Sequence, residues 1–241
     1  MGVSDRVAFL RKTYALLGVS LIAFAAITAG MMKFATQTSL RFSEWALQGR
    51  LHWFIFILLF VAVGYIAERL ARSSTSRGLQ YFGLLLGIAL YGVLLQPILW
   101  GLIAMFGRPE MISFNGEGML AGQAASILMQ AIVITLSIFV GLTLTVFFTK
   151  KDFSFLRGAL AIGTFAALGV IAASLLFGFS LGALFCGAMI LLMAGYVLFQ
   201  TSLVMSYFPP TAHVAAALLL FSTVAMLFFY VLQLLMQLNR R

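Results

Sequence analysis

The stretch that decides the fold is residues 195–235, GYVLFQTSLVMSYFPPTAHVAAALLLFSTVAMLFFYVLQLL. It holds two long apolar runs on either side of the turn YFPPT at residues 207–211. The prolines end one helix and Thr211 can cap the next. Each run continues to the length of about 20 residues that a helix needs to cross the hydrocarbon core of a bilayer. The stretch therefore predicts two membrane-spanning helices joined by a short turn.

The same pattern extends over the whole chain of 241 residues. Apolar residues make up 63% of it and charged residues 9%, whereas soluble domains have about 45–50% and about 25%. The apolar runs are continuous, unlike the alternating segments of about ten residues in a β-barrel. We therefore predict an all-α membrane protein, a single polytopic domain over residues 1–241 with seven spanning helices. The spans are predicted at residues 14–34, 51–67, 79–106, 119–149, 155–177, 181–205 and 212–238.

The basic residues predict the orientation. With a cytoplasmic N-terminus, the inner segments hold nine Lys and Arg residues and the outer segments six, as the positive-inside rule requires. The inner nine are Arg6, Arg11, Lys12, Arg69, Arg72, Arg77, Lys150, Lys151 and Arg157. The net charge of +9 is thus explained by topology, and we expect no nucleic-acid partner.

Residues suited to catalysis are sparse. Residues 178–182, GFSLG, match the G-x-S-x-G pattern, but that motif has meaning only at a strand-to-helix elbow. The two histidines, His52 and His213, are predicted at opposite faces of the membrane, so neither pairs convincingly with a nucleophile. No metalloprotease or dinucleotide-binding motif is present. We predict that the chain is not an enzyme and has no catalytic residue, metal or cofactor.

Charged residues avoid the middle of the predicted spans, where they are expensive. Glu68 and Arg72, at the inner end of the second span, are spaced for an i, i+4 pair. The pair is either an ordinary helix-surface contact or a gate-forming ion pair. Glu110 and Glu117, on the loop after the third span, are either solvated loop acids or a weak cation-concentrating patch.

Small and neutral polar residues within the spans have two interpretations each. Gly163 with Ala167 and Gly169 with Ala173 are spaced to let helices approach closely, within this chain or between two copies. Neutral polar side chains on the spans either line a pore or form hydrogen bonds between helices. They include Gln96, Gln123, Gln130, Gln200, Thr201, Ser202, Ser222 and Thr223.

Three stretches carry a resemblance to a known family. They are FLRKTYALLGVSLIAFAAITAG at residues 9–30, TLTVFFTKKDFSFLRG at residues 143–158, and residues 195–235. The segment TKKDFSF at residues 149–155 is the most specific, and LQPI at residues 95–98 adds a proline-containing third span. Together they resemble the transmembrane Bax-inhibitor-motif family over nearly the whole chain. The resemblance implies six helices around a central seventh.

The resemblance also implies functions. Members of the family include a pH-sensitive calcium leak and, in bacteria, a modulator of a membrane-anchored ATP-dependent protease. The leak is associated with two intramembrane aspartates, on the sixth and seventh helices, that share a proton and pair with an arginine. The corresponding positions here are Gln200 and, counting on without gaps, Thr223, neither of which exchanges a proton in the physiological range. We expect Gln200 to bridge to Thr223, which would keep the helix contact and discard the switch.

These observations predict a bacterial inner-membrane protein with a cytoplasmic N-terminus. The bacterial source is inferred from the short loops and the lack of an organelle signal. We expect it to act through helix contacts, as a modulator or accessory subunit of a membrane complex such as a membrane-anchored protease. Its partners would be the lipid bilayer and other membrane protein subunits. The alternative is a calcium or cation leak channel with weak or no pH gating, and only then would Ca²⁺ be a ligand.

Overall fold

The structure is a computed structural model that describes residues 3–73, 76–107 and 122–240. These residues form eight α-helices and one short 3₁₀ helix, Pro210–Ala212, without a β-strand. The α-helices are α1 (Val3–Phe34), α2 (Thr36–Leu47), α3 (Arg50–Ala71), α4 (Arg77–Phe106), α5 (Gln123–Thr149), α6 (Leu156–Phe177), α7 (Ala183–Ser206) and α8 (His213–Leu238).

The predicted all-α membrane fold with seven spans is confirmed. Every α-helix except α2 is long and apolar enough to cross a membrane. Over a membrane-length window, 83% of α8 is buried, against 11–56% in the other six. The predicted start of the fourth span at residue 119 lies outside the described residues.

Helix α2 was not predicted. Its buried residues are Ser39, Ser43 and Ala46, which are small, so the sequence shows no stripe of large apolar side chains there. The Ser39 hydroxyl donates to the Gln96 side-chain oxygen at 2.6 Å and accepts from the Trp100 indole at 2.8 Å. Hydrogen bonds to α4 therefore hold this short helix, and they give the predicted polar residue Gln96 a structural role.

The chain forms two compact units. One comprises Met1–Leu17 with Ala131–Arg241, and the other comprises Gly18–Gln130. Helices α6, α7 and α8 lie entirely in the first unit, which also holds the first part of α1 and the part of α5 from Ala131 onward. Helices α2, α3 and α4 lie in the second.

Reciprocal glycine contacts join α6 to α7. A Cβ built at Gly163 would lie 2.8 Å from the Leu192 side chain, and one at Gly195 would lie 2.8 Å from that of Leu160. In each helix, a glycine thus leaves room for a leucine side chain of the other helix. The predicted close approach at Gly163 is present within the chain, whereas nothing lies within 4 Å of a Cβ built at Gly169.

Helices α3 and α4 of the second unit approach each other closely at Gly83 of α4. A Cβ there would lie 2.5 Å from the Ala71 nitrogen and 2.6 Å from the Ala67 oxygen, both backbone atoms of α3. Backbone cannot move aside as a flexible side chain can, so only glycine fits this position.

We expect Gly83→Ala to lower the thermal unfolding temperature of the detergent-purified protein. Overpacking of this kind costs about 1–3 kcal/mol, which corresponds to roughly 2–10 °C for a chain of this size. Gly169→Ala is the matched control, because it adds the same methyl group to a helix with no neighbour in reach. Equal unfolding temperatures for the two variants would contradict the close approach.

Candidate functional site

The candidate site is the last part of α7, where the polar triplet Gln200-Thr201-Ser202 interrupts an apolar helix. All three side chains are buried, with exposed fractions of 7%, 0% and 2%. Most polar side chains away from water have a hydrogen-bond partner. The partners of Gln200 and Ser202 come from two different elements of the first unit.

Gln200 connects α7 to α8. The Thr223 hydroxyl donates to the Gln200 side-chain oxygen at 2.7 Å, and both side chains are buried. The predicted bridge between these two positions is therefore present. Both groups are neutral at any physiological pH, so this contact has no proton to gain or lose.

Ser202 connects α7 to the turn between α5 and α6. Its hydroxyl accepts from the Phe153 backbone N–H at 3.1 Å and donates to one Asp152 carboxylate oxygen at 3.3 Å. That oxygen also accepts from the Ser154 backbone N–H at 2.9 Å, and the other accepts from the Tyr207 hydroxyl at 2.7 Å. The Asp152 carboxylate thus stabilises the turn between α5 and α6 and also binds the end of α7.

The contacts of Asp152 keep it ionised. The hydrogen bonds from Tyr207 and from the Ser154 backbone lower the pKa of the Asp152 carboxyl below its ordinary value of 3.8. The same contact with Asp152 raises the pKa of the Tyr207 phenol. At neutral pH the pair therefore consists of a carboxylate and a protonated phenol, which is the form that makes the hydrogen bond.

The sequence carries a local signal for the structure of this turn, although the role of Asp152 in it was not predicted. Asp followed two residues later by Ser is the pattern of an Asx turn, in which the side chain accepts from the backbone two residues on. Lys150, just before it, adopts a left-handed backbone with φ of 50° and ends α5. The contact with Ser202 and Tyr207, about 50 residues away, has no local signal.

Arg6 of α1 also binds the end of α7. Its guanidinium donates to three backbone carbonyls, those of Val204, Met205 and Phe208, at 2.6–2.8 Å. The structure thus brings Arg6, Asp152 and Tyr207 to the same end of α7.

The other predicted site residues lie apart from this cluster or outside the described residues. Glu68 and Arg72 form the predicted i, i+4 ion pair, and each side chain is about half exposed, where such pairs contribute little to stability. Its role as a gate stays a prediction. Glu110 and Glu117 lie outside the described residues.

A cavity of about 310 Å³ lies where α7 begins and α8 ends, and Ser180, Gln237 and Arg240 line it with apolar neighbours. Ser180 belongs to the G-x-S-x-G string, but the lining contains no His, Asp, Glu or Lys to act as its base. Within the described part of the chain, no three His, Cys, Asp or Glu residues are grouped to hold a metal ion.

The fold and this site define a class, a seven-span helical membrane protein whose last two spans meet at a buried polar contact. The family model described as "Inhibitor of apoptosis-promoting Bax1" matches residues 6–240. The chain therefore belongs to the Bax inhibitor family, as its sequence motifs predicted.

Two proteins of other organisms are similar to this chain. The chain is 28% identical over 244 aligned residues to "Bax inhibitor 1" of Schizosaccharomyces pombe, an alignment that covers 96% of this chain and 77% of the yeast protein. It is 29% identical over 124 residues to an uncharacterized protein of Pseudomonas aeruginosa, with 49% of this chain and 53% of that protein covered. The chain thus spans about half the length of the Pseudomonas relative. No solved structure matches it.

We expect Thr223→Val to lower stability by about 1 kcal/mol, because it leaves the buried Gln200 oxygen without its donor. Combining it with Gln200→Leu should cost less than the two single changes together, and the difference measures the coupling between them. Ser222→Ala is the control, since the Ser222 hydroxyl donates only to the Leu219 carbonyl of its own helix. Strictly additive effects in thermal unfolding would contradict the bridge.

We expect Asp152→Asn to lower the unfolding temperature at neutral pH, with the difference from wild type disappearing in acid. The lowered pKa of Asp152 means that its charge stabilises the fold above the ordinary carboxyl pKa of 3.8. This stabilisation is lost as the pH falls through the lowered value. Unfolding temperatures measured from neutral pH to below 3.8 test this, and a difference that already changes near neutrality would refute it.

Proposed function

We propose that this chain is a modulator or accessory subunit of a membrane protein complex in the bacterial inner membrane, with its N-terminus in the cytoplasm. It would act through lateral contacts of its spanning helices, and a membrane-anchored protease is the kind of partner we favour. The observation that carries the proposal is the neutral bridge between Thr223 and Gln200. A contact without a titratable group holds the helices together but gives no response to pH.

The exposed face of α6 supports the same proposal. This helix is the least buried of the seven spans, with 11% of a membrane-length window buried. Ile162 and Phe165, three residues apart on one face, are 72% and 75% exposed. Large apolar side chains that face the lipid are available to pack against a helix of another membrane protein.

The second candidate function is a calcium or cation leak with weak or no pH gating. It is favoured by three buried hydroxyls, those of Thr13, Thr135 and Thr143, which have no hydrogen-bond partner among the described residues. Buried hydroxyls usually bind water when no protein group reaches them. A line of water along α1 and α5 would satisfy them and offer a cation a neutral path.

Calcium flux into dye-loaded liposomes separates the two candidates. We expect no pH-gated flux from the wild-type chain between about pH 6 and pH 8, because neither Gln200 nor Thr223 titrates there. The subunit proposal further predicts no flux at any pH in this range. The double variant Gln200→Asp, Thr223→Asp places two carboxylates in contact, which raises the pKa of one of them, and should gain a pH-dependent leak.

The matched control is Gln200→Asn, Thr223→Asn, which has side chains of the same size as aspartate and no charge. It should stay silent at every pH. Strong pH-gated calcium flux from the wild type would contradict the claim that the neutral contact between Gln200 and Thr223 prevents pH gating. Flux from the wild type that is independent of pH would favour the second candidate.

Extraction in mild detergent tests the subunit proposal. We expect a partner to co-purify with the wild type and to be lost from the variant Ile162→Ala, Phe165→Ala, because these side chains supply the proposed contact. The control is Leu58→Ala, Val61→Ala, which removes two apolar side chains of α3 that are 60% and 61% exposed. Equal recovery of the partner with both variants would contradict α6 as the contact face.

A further inference from the structure

The end of α7 forms a cradle of oxygen atoms around Arg6. The Nε atom donates to the Met205 carbonyl at 2.7 Å, Nη1 to the Phe208 carbonyl at 2.6 Å, and Nη2 to the Val204 carbonyl at 2.8 Å. The carbon at the centre of the guanidinium lies 5.2 Å from the centre of the Phe9 ring, and Phe9 is 1% exposed. Three carbonyls and one aromatic ring therefore surround a single planar cation.

Each part of this cradle favours a positive charge. The carbonyls of Val204 and Met205 lie in the last turn of α7, where helix carbonyls carry the negative end of the dipole and have no N–H of the next turn to bind. Phe208, two residues beyond the helix, supplies the third carbonyl. The aromatic ring attracts a cation through its quadrupole. All three guanidinium nitrogens are used, each toward a different carbonyl, so the site matches the planar fork of a guanidinium better than a spherical ammonium group.

No carboxylate takes part in these contacts. The nearby carboxylate of Asp152 is bound instead by Ser202, Tyr207 and the Ser154 backbone. Two different sets of hydrogen bonds therefore hold the end of α7. Arg6 donates to its backbone carbonyls, and Asp152 accepts from the hydroxyls of Ser202 and Tyr207. Arg6 lies in α1, so its hydrogen bonds to the end of α7 join residues about 200 positions apart in the sequence.

We propose that the α7 cradle, formed by the carbonyls of Val204, Met205 and Phe208 with the Phe9 ring, is a guanidinium-binding site whose resident occupant is Arg6. Arg6 acts as a tethered cation that keeps the end of α7 closed. When it withdraws, three carbonyls lose their donors together and the last turn of α7 opens. The site then accepts a free guanidinium ion of the same shape. This inference does not rest on the proposed function.

Opening would extend toward the polar triplet. Val204 is four residues after Gln200, so in α7 its N–H is the helical partner of the Gln200 carbonyl. Loss of the turn that starts at Val204 would therefore loosen the backbone that carries Gln200 and Ser202. Arg6 is thus a positioning residue, because it acts on α7 and through α7 on the contact with α8.

Chemical rescue tests the proposal. Arg6→Ala should unfold about 5 °C below the wild type in detergent, since it removes charge-assisted hydrogen bonds, and it should increase hydrogen exchange at residues 203–208. Methylguanidinium at low millimolar concentration should restore both properties in Arg6→Ala and leave the wild type unchanged. Tetramethylammonium, which has the same charge and no donor, should not restore them.

Two further variants complete the test. Arg11→Ala removes an exposed basic residue from the same helix and should show neither the loss nor the rescue. Arg6→Lys keeps a cation in the cradle with a poorer fit, so its exchange should be intermediate and insensitive to methylguanidinium. If Arg6→Ala does not fold, recovery of folded protein only when methylguanidinium is present during purification would support the proposal. Exchange in Arg6→Ala equal to that in Arg11→Ala, or no rescue by methylguanidinium in either format, would overturn it.

Discussion

The hydrogen bond from the Thr223 hydroxyl to the Gln200 side-chain oxygen joins the most buried helix of the fold to its neighbour in the chain. Inside a bilayer, a polar side chain that finds no partner within the protein is costly. Two neutral groups of complementary type meet this requirement without a charge and without a proton to exchange. The contact between α7 and α8 is thereby made independent of pH.

The other polar residues near the end of α7 also have hydrogen-bond partners within the protein. The Ser202 hydroxyl forms hydrogen bonds with Phe153 and Asp152 of the turn between α5 and α6. The backbone carbonyls that follow Ser202, beginning with Val204, accept hydrogen bonds from Arg6. Both charged groups act at the end of α7, while the contact deeper in the bundle is neutral. The charged contacts therefore lie at one end of α7, and the deeper contact between Gln200 and Thr223 carries no charge.

Much of the fold could be predicted from the sequence, because a bilayer strongly restricts the composition and length of the helices that cross it. The seven spans follow from continuous apolar runs, and the bridge between Gln200 and Thr223 from aligning two family motifs. Helix α2 was missed because its buried face consists of Ser39, Ser43 and Ala46, which give no apolar stripe. The roles of Asp152 and Arg6 were missed because their partners are about 50 and 200 residues away, and only the folded chain brings them together.

The most direct test of the neutral bridge is hydrogen exchange at residues 196–206 of the protein in lipid nanodiscs, from about pH 6 to pH 8, after correction for the intrinsic pH dependence of exchange. We expect the same protection across this range, since the bridge is neutral and the pKa of Asp152 is lowered, away from this window. Protection that falls steeply with decreasing pH would show that α7 is held by a titrating group, and would contradict a contact independent of pH.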